Sequence, residues 1–314
     1  MPGPDGALLL QFEMQYDLLF QQMMSRLVTD VRVKPATNSL MTAFGLLAPS
    51  EDEDITGARH GETHFSDDVS TRRWAVKQDR QVAKMIDQQD ATAIILDLEM
   101  GYLRNATSAM DRRKDRILIA AATATAQAGI TGTDTSAFDT AAPTGATGGN
   151  QIAVGGTGLT PDKFRTARAT FDARQVGVDA VSMGMSEFVW VTNAKGHQDM
   201  LEFTEATTSD YLGTIYLPNG EVQQSRMPLV MGRIPYYMGF RIKLSEYLTD
   251  SGANKINLAW HREAMGFAYW GAERRIWVGD LPTRNLARGL IVQEHMGAVR
   301  VQDAGVLAIV CDQT

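Results

Sequence analysis

Residues 85–129 read MIDQQDATAIILDLEMGYLRNATSAMDRRKDRILIAAATATAQAG, with no proline to interrupt them. Followed from Asp79, the run places Val82, Met85, Ile86, Ala93, Leu96, Met100 and Leu103 at intervals of three and four, the repeat that gathers apolar side chains on one face of a helix. The spacing predicts a helix over 79–108, about 45 Å long at 1.5 Å per residue, with Gly101 as the place for a kink. The charged segment Asp111 to Arg116 then reads as a turn, and ILIAAATATAQAG as a second, alanine-rich helix stopped by Gly129.

On the N-terminal side, residues 8–28 set Phe12, Tyr16, Leu19, Phe20 and Met23 in a helical stripe, which predicts an arm carrying an amphipathic helix. VRVKPATNSLMTAF alternates and contains Pro35, so it reads as extended chain leading to the acidic run Glu51 to Asp54, a solvated loop. On the C-terminal side, residues 129–160 are glycine, threonine and alanine with few large apolar groups, so they form a long loop or a β-excursion. Thr160 and Pro161 then mark the start of a helix, PDKFRTARATFDARQ. SEFVWVTN reads as a buried strand, AKGHQDMLEF as the helix after it, and MPLVMGRIPYYMGFRIKLS as strands with turns. INLAW, HREAMGFAYW and ERRIWVGD read as strand, short helix, strand, and LIVQEHMGAVRVQDAGVLAIV as two β-segments. Trp190, Trp260, Trp270 and Trp277 stand beside aliphatic residues and are expected in the core.

The 314 residues suffice for a large core and two lobes. The single Cys311 excludes an intrachain disulfide framework and reads as a small apolar residue of the last strand. No segment approaches the roughly 20 apolar residues that span a bilayer, and no basic region precedes the first apolar run, so neither membrane nor export is expected. A formal charge of -7 leaves no general basic field to grip a phosphate backbone; nucleic acid is expected as a neighbour more than a ligand.

Chemical motifs are sparse. His60, Glu62 and His64 in HGETHFSDDVSTRRWAV share a strand face by spacing, but this differs from the H-E-x-x-H pattern of metalloproteases, and His197, His261 and His295 form no close pair with a further ligand, so no metal is expected. GGTGLTPDKF has the glycines of a phosphate cradle without its lysine or the G-x-G-x-x-G spacing, so an ordinary capped helix is expected and no cofactor. No G-x-S-x-G elbow or opposed pair of carboxylates appears. No catalytic residue is nominated.

In their order, and in the stretches STRRWAV, MIDQQDATAIILDLEMGYLRNATSAMDRRKDRILIAAATATAQAG, LAWHREAMGFA and VRVQDAGVLAIV, these pieces resemble the major capsid proteins of tailed bacteriophages, whose fold is named after phage HK97. Together these stretches span most of the chain from about residue 60 to the end, and the resemblance implies an α+β fold, HK97-like. It implies an N-terminal arm at 1–51, an extended E-loop hairpin at 52–77 and a peripheral domain with a spine helix at 78–160. A mainly axial domain at 161–285 and closing β-segments at 286–314 that return to the peripheral domain complete it. It further implies a non-enzymatic protein that assembles as pentamers and hexamers into a shell around double-stranded DNA. The partners expected are a separate scaffold protein, since the short arm leaves little room for a built-in one, a portal and a decoration protein. Its place is the virion, after assembly in the host cytoplasm. An encapsulin-type nanocompartment and an α/β enzyme are the alternative readings. The hairpin is expected to strap a neighbouring subunit, with Arg59, Arg72, Arg73 and Trp74 as candidate intersubunit contacts.

Overall fold

The long helix forms further along the chain than its apolar spacing suggests. In the computed structural model, which describes residues 19–47, 70–87, 98–177, 188–202, 215–216, 222–223, 232–271 and 274–313, Gln78–Ile86 is a β-strand and helix α1 occupies Leu98–Thr123. The expected helix over 79–108 is thus corrected at its N-terminal part. Gln78–Ile86 has a tertiary partner, the strand Ala287–Arg300, and ladder pairing overrides a weak helical pattern. The expected turn at Asp111 to Arg116 is also corrected, because α1 runs through it and its charges find partners. Asp111 accepts from Arg274 at 2.8 Å and Arg112 donates to Gln21 Oε1 at 2.6 Å. Asp115 accepts the backbone N–H groups of Arg26 and Leu27, and Arg116 lies 4.3 Å from the Tyr247 ring centroid. The 26 residues make one rod, about 39 Å long. It stops at Thr123, before Gly129, and the chain enters the strand Ala126–Ala128.

The chain divides into two compact units that are not consecutive in sequence. The smaller holds Met1–Ser25, Asp79–Arg113 and Ala272–His295. Here the first half of Ala287–Arg300 pairs antiparallel with Arg275–Leu281, from Leu281↔Ala287 to Arg275↔Gln293. Arg274 binds Glu294 and Asp111, and Arg288 binds Glu99. The helical stripe expected over residues 8–28 lies outside the described residues up to residue 18. From Leu19 to Leu27 the chain is not helical, and Leu19, Phe20, Met23 and Met24 are exposed.

The larger unit holds Arg26–Gln78, Lys114–Gly271 and Met296–Thr314. Its main sheet runs Tyr236–Tyr237, Phe240–Leu244, Phe188–Thr192, Asn254–His261, Val306–Cys311 and Gln151–Ile152. Phe188–Thr192 sits centrally and every residue of it is buried, as its unbroken apolar run requires. Helices α2 (Pro161–Ala173) and α3 (Ala194–Glu202) begin where the sequence places them. Thr160 is extended before Pro161, though its hydroxyl makes no capping bond; Asn193 does cap α3, accepting from Gly196 N at 3.0 Å. Phe164 of α2 stacks on Trp190 at 4.0 Å between centroids and meets Tyr237 edge-on at 4.9 Å.

A second core in this unit joins Ala36, Phe44, Ala75, Ala126, Ala268, Trp270, Val299 and Val301. Arg32–Ala36 runs parallel to Met265–Trp270, which pairs antiparallel with the end of Ala287–Arg300. Trp190, Trp260 and Trp270 are buried as expected, whereas Trp277 is 40% exposed and is no core residue of the single chain.

Two outcomes follow from the main core. Phe164→Ala should cost about 3–5 kcal/mol, read as a lower denaturation midpoint with unchanged slope. His197 Nε2 accepts the Ile234 N–H at 3.2 Å, and burial, with the nearby Arg233 charge, pulls its pKa below the ordinary 6.5. The unfolded chain therefore takes up this proton first, so the stabilisation is complete above pH 6.5 and declines as pH falls below it. The protection factor of the Ile234 amide, which removes the intrinsic pH dependence of exchange, should fall over that range, and His197→Gln should flatten the dependence.

Candidate assembly surface at the hairpin root

Met41–Leu47 and Ser70–Val76 form an antiparallel ladder in register from Met41↔Val76 to Leu47↔Ser70. Ala126–Ala128 and then Asp134–Ser136 extend this sheet beside Ser70–Val76, so the strand that follows the end of α1 also braces the hairpin. Residues 48–69, with Arg59 and the candidate metal ligands His60, Glu62 and His64, lie outside the described residues. Among the described residues, no group of three or more His, Cys, Asp or Glu is placed to hold a metal ion.

The root is organised by Arg300, which has no exposed surface. Its Nη1 donates to the Ala122 carbonyl at 3.1 Å and the Ala124 carbonyl at 2.7 Å, and its Nη2 to the Ser136 carbonyl at 3.2 Å. A helix leaves its last carbonyls without intrahelical partners and carries partial negative charge there; the guanidinium meets both needs. Its Nε donates to Asp303 Oδ1 at 2.5 Å, and the other oxygen of Asp303 accepts from Arg73 Nη2 at 2.6 Å and from the Ser136 hydroxyl at 3.0 Å. One network ties the end of α1, the hairpin strand, the Asp134–Ser136 strand and the closing segment.

Trp74 is fixed on the same sheet. Its Nε1 donates to the Gly129 carbonyl at 2.8 Å, and its ring lies against Gly132, where an added Cβ would stand 3.1 Å from the indole. Behind the hairpin, a Cβ on Gly297 would meet the Val76 carbonyl oxygen, and one on Gly266 would lie 2.8 Å from the Phe44 ring. Both positions need glycine for close approach.

Of the four candidate contacts, Arg59 is undescribed, and Arg73 and Trp74 are committed within their own chain. Arg72, one residue along and on the opposite face, is exposed. Sequence reasoning nominated neither Arg300 nor Asp303; the available signal was an arginine inside the apolar strand pattern of AVRVQDAGVLAIV, with an aspartate three residues on.

The chain leading into the hairpin has its own anchor. Asp30, 2% exposed, accepts from Arg241 at 2.7 Å and Lys243 at 2.8 Å, while its carbonyl takes the Trp260 indole N–H at 3.1 Å. The glycine-rich stretch before α2 faces inward with carbonyls instead of N–H groups. Lys163 Nζ lies 3.0, 2.9, 2.7 and 3.0 Å from the carbonyls of Val154, Thr157, Gly158 and Val310. A phosphate cradle needs the opposite polarity. Cys311 is buried beside this ammonium, and burial pushes its thiol up to about 11 against the opposing influence of Lys163 and Asn257, so it is no nucleophile.

The long helix, the paired strands braced at its end and the mixed α/β unit make an HK97-like fold, and solved capsid structures share that fold. The capsid of Ralstonia phage GP4 matches with TM-score 0.68 and 11% identity over 100% of this chain and 98% of that one. The capsid of a native GTA particle matches with TM-score 0.67 and 12% identity over 98% and 97%. A Mycobacterium phage Che8 chain matches with TM-score 0.62 and 14% identity over 97% of each. A search of curated proteins by sequence found no match. The chain belongs to the phage capsid protein family, whose model matches residues 6–313; it is a structural protein of the virion.

Replacing Arg300 by Met should cost about 2–4 kcal/mol, because helix-end carbonyls and a carboxylate lose their donor together. Arg73→Met should cost about 1 kcal/mol, since Asp303 keeps Arg300 and Ser136. Denaturant midpoints of unassembled subunits check both.

Proposed function

We propose that this chain is the major capsid protein of a tailed phage, assembling as pentamers and hexamers into an icosahedral or prolate shell around double-stranded DNA. The family match over residues 6–313 carries this reading. It also favours a phage shell over a nanocompartment with protein cargo. The long α1, with the strands that pair beside it, serves as the peripheral domain, and the sheet carrying α2 and α3 as the axial domain. Scaffold, portal and decoration proteins are the further partners, and the host cytoplasm the place of assembly.

The hairpin Met41–Val76 is the strap. Its described strands, Met41–Leu47 and Ser70–Val76, are held at the root by Arg73, through Asp303 and Arg300, and by Trp74. A free two-stranded hairpin is marginal in water and gains from a partner. A contact that is weak alone becomes decisive when a closed symmetric shell repeats it. Arg72 is the described residue suited to it, being exposed on the outer face and able to engage a carboxylate with two parallel bonds.

Electron microscopy of purified particles, with the ratio of absorbance at 260 and 280 nm, tests the whole reading: closed shells with nucleic acid support it, and a persistent small oligomer in the presence of scaffold overturns it. Arg72→Glu alone should leave the circular dichroism spectrum unchanged and lower the yield of closed shells at least tenfold. Trypsin should cut unassembled subunits at Arg59 and Arg72 and spare both in shells. Normal particles from the variant, or equal cutting in both states, would remove the strap from the interface.

A further inference from the structure

Among the described residues the strand Arg275–Leu281 has a single partner, Ala287–Arg300, which leaves its other edge open there, and Ile276, Trp277 and Val278 are exposed on both of its faces. Trp277 lies flat against its own sheet. A Cβ on Gly279 would stand 2.7 Å from the indole and one on Gly289 3.0 Å, and these glycines are cross-strand partners. The ring therefore paves two glycines and keeps an outer face uncovered. An open edge carrying isoleucine, tryptophan and valine without a proline or lysine is a template for an added strand. The opposite case occurs at Arg32–Ala36, an edge strand that carries Lys34 and Pro35.

We propose that this edge receives residues 10–18 of the N-terminal arm of a second copy as an added strand. Three observations select that occupant. Leu10, Phe12, Met14, Tyr16 and Leu18 alternate with Gln11, Glu13, Gln15 and Asp17, so beside the helical stripe of residues 8–28 this part also has the period of a strand with one apolar face, and its continuation from Leu19 to Leu27 is not helical. Residues 1–25 carry Asp5, Glu13 and Asp17 with no lysine or arginine, whereas residues 274–288 carry four arginines against one aspartate, with Arg275 and Arg284 exposed. The arm's continuation also presents Leu19, Phe20, Met23 and Met24 uncovered. Residues 48–69 are more acidic, with seven carboxylates and one arginine, but have no apolar alternation to cover the edge. That the donor is a second copy rests on the shell reading.

Buried Cys311 leaves a quiet background for thiol trapping. Single cysteines at positions 10 to 18 are placed in one population and Val278→Cys in another. The two are co-assembled, shells are confirmed by microscopy, and mild oxidation is read on non-reducing gels; a disulfide needs Cα atoms within about 7 Å. Expected are intermolecular dimers whose yield alternates with period two along the arm, and their loss when the Val278→Cys population also carries Trp277→Glu. Crosslinks only within one chain, a helical three-to-four repeat, no crosslink in intact shells, or trapping instead by Ile55→Cys would each overturn the proposal. Shells that form normally without crosslinks leave the capsid reading standing and sink only this one.

Discussion

The buried guanidinium of Arg300 is the constraint on which the rest of the larger unit depends. Helix α1 must end somewhere, and its final carbonyls have to be satisfied away from water. One side chain from the closing segment does this while holding Asp303, and through Asp303 it holds Arg73 of the hairpin and Ser136 of the adjoining strand. A planar fork is required because its donors point in several fixed directions at once. The strands Met41–Leu47 and Ser70–Val76 are therefore tied at their root to the end of α1.

Elements that bury themselves by local pattern were legible in the sequence: Phe188–Thr192 from its continuous apolar run, α2 from Thr160 and Pro161, and Val306–Cys311 from its aliphatic residues. What failed was local pattern whose meaning is set by distant partners. Gln78–Ile86 has a helical spacing yet pairs with residues more than two hundred positions away, and Asp111 to Arg116 looks like a solvated turn until Gln21, Arg26 and Arg274 supply its partners. The division into two interleaved units was equally hidden, since both α1 and Ala287–Arg300 pass from one to the other.

At the hairpin root, strand alternation divides the residues that stand out in the sequence. STRRWAV stood out for its charge and its tryptophan, but alternation along a strand sends Arg72 and Arg73 to opposite faces, and no pattern within seven residues tells which face meets Asp303. The glycine-rich stretch before α2 shows the same limit. Its glycines suggest a cradle, and the sign of what it cradles is decided by whether carbonyls or N–H groups turn inward. They turn carbonyls toward Lys163, a residue of the helix that follows.

The edge strands Arg32–Ala36 and Arg275–Leu281 differ in a way that bears on the size of what can be built. Ladders that are open at both edges propagate without limit, and the product is a fibre. Arg32–Ala36 stops propagation with a residue that has no N–H to give and a lysine whose ammonium is turned onto the Ala43 carbonyl at 2.7 Å. A sheet guarded in this way at one of its edges cannot stack on itself from copy to copy in both directions, and limiting where strands can add is what separates a particle of defined radius from an aggregate.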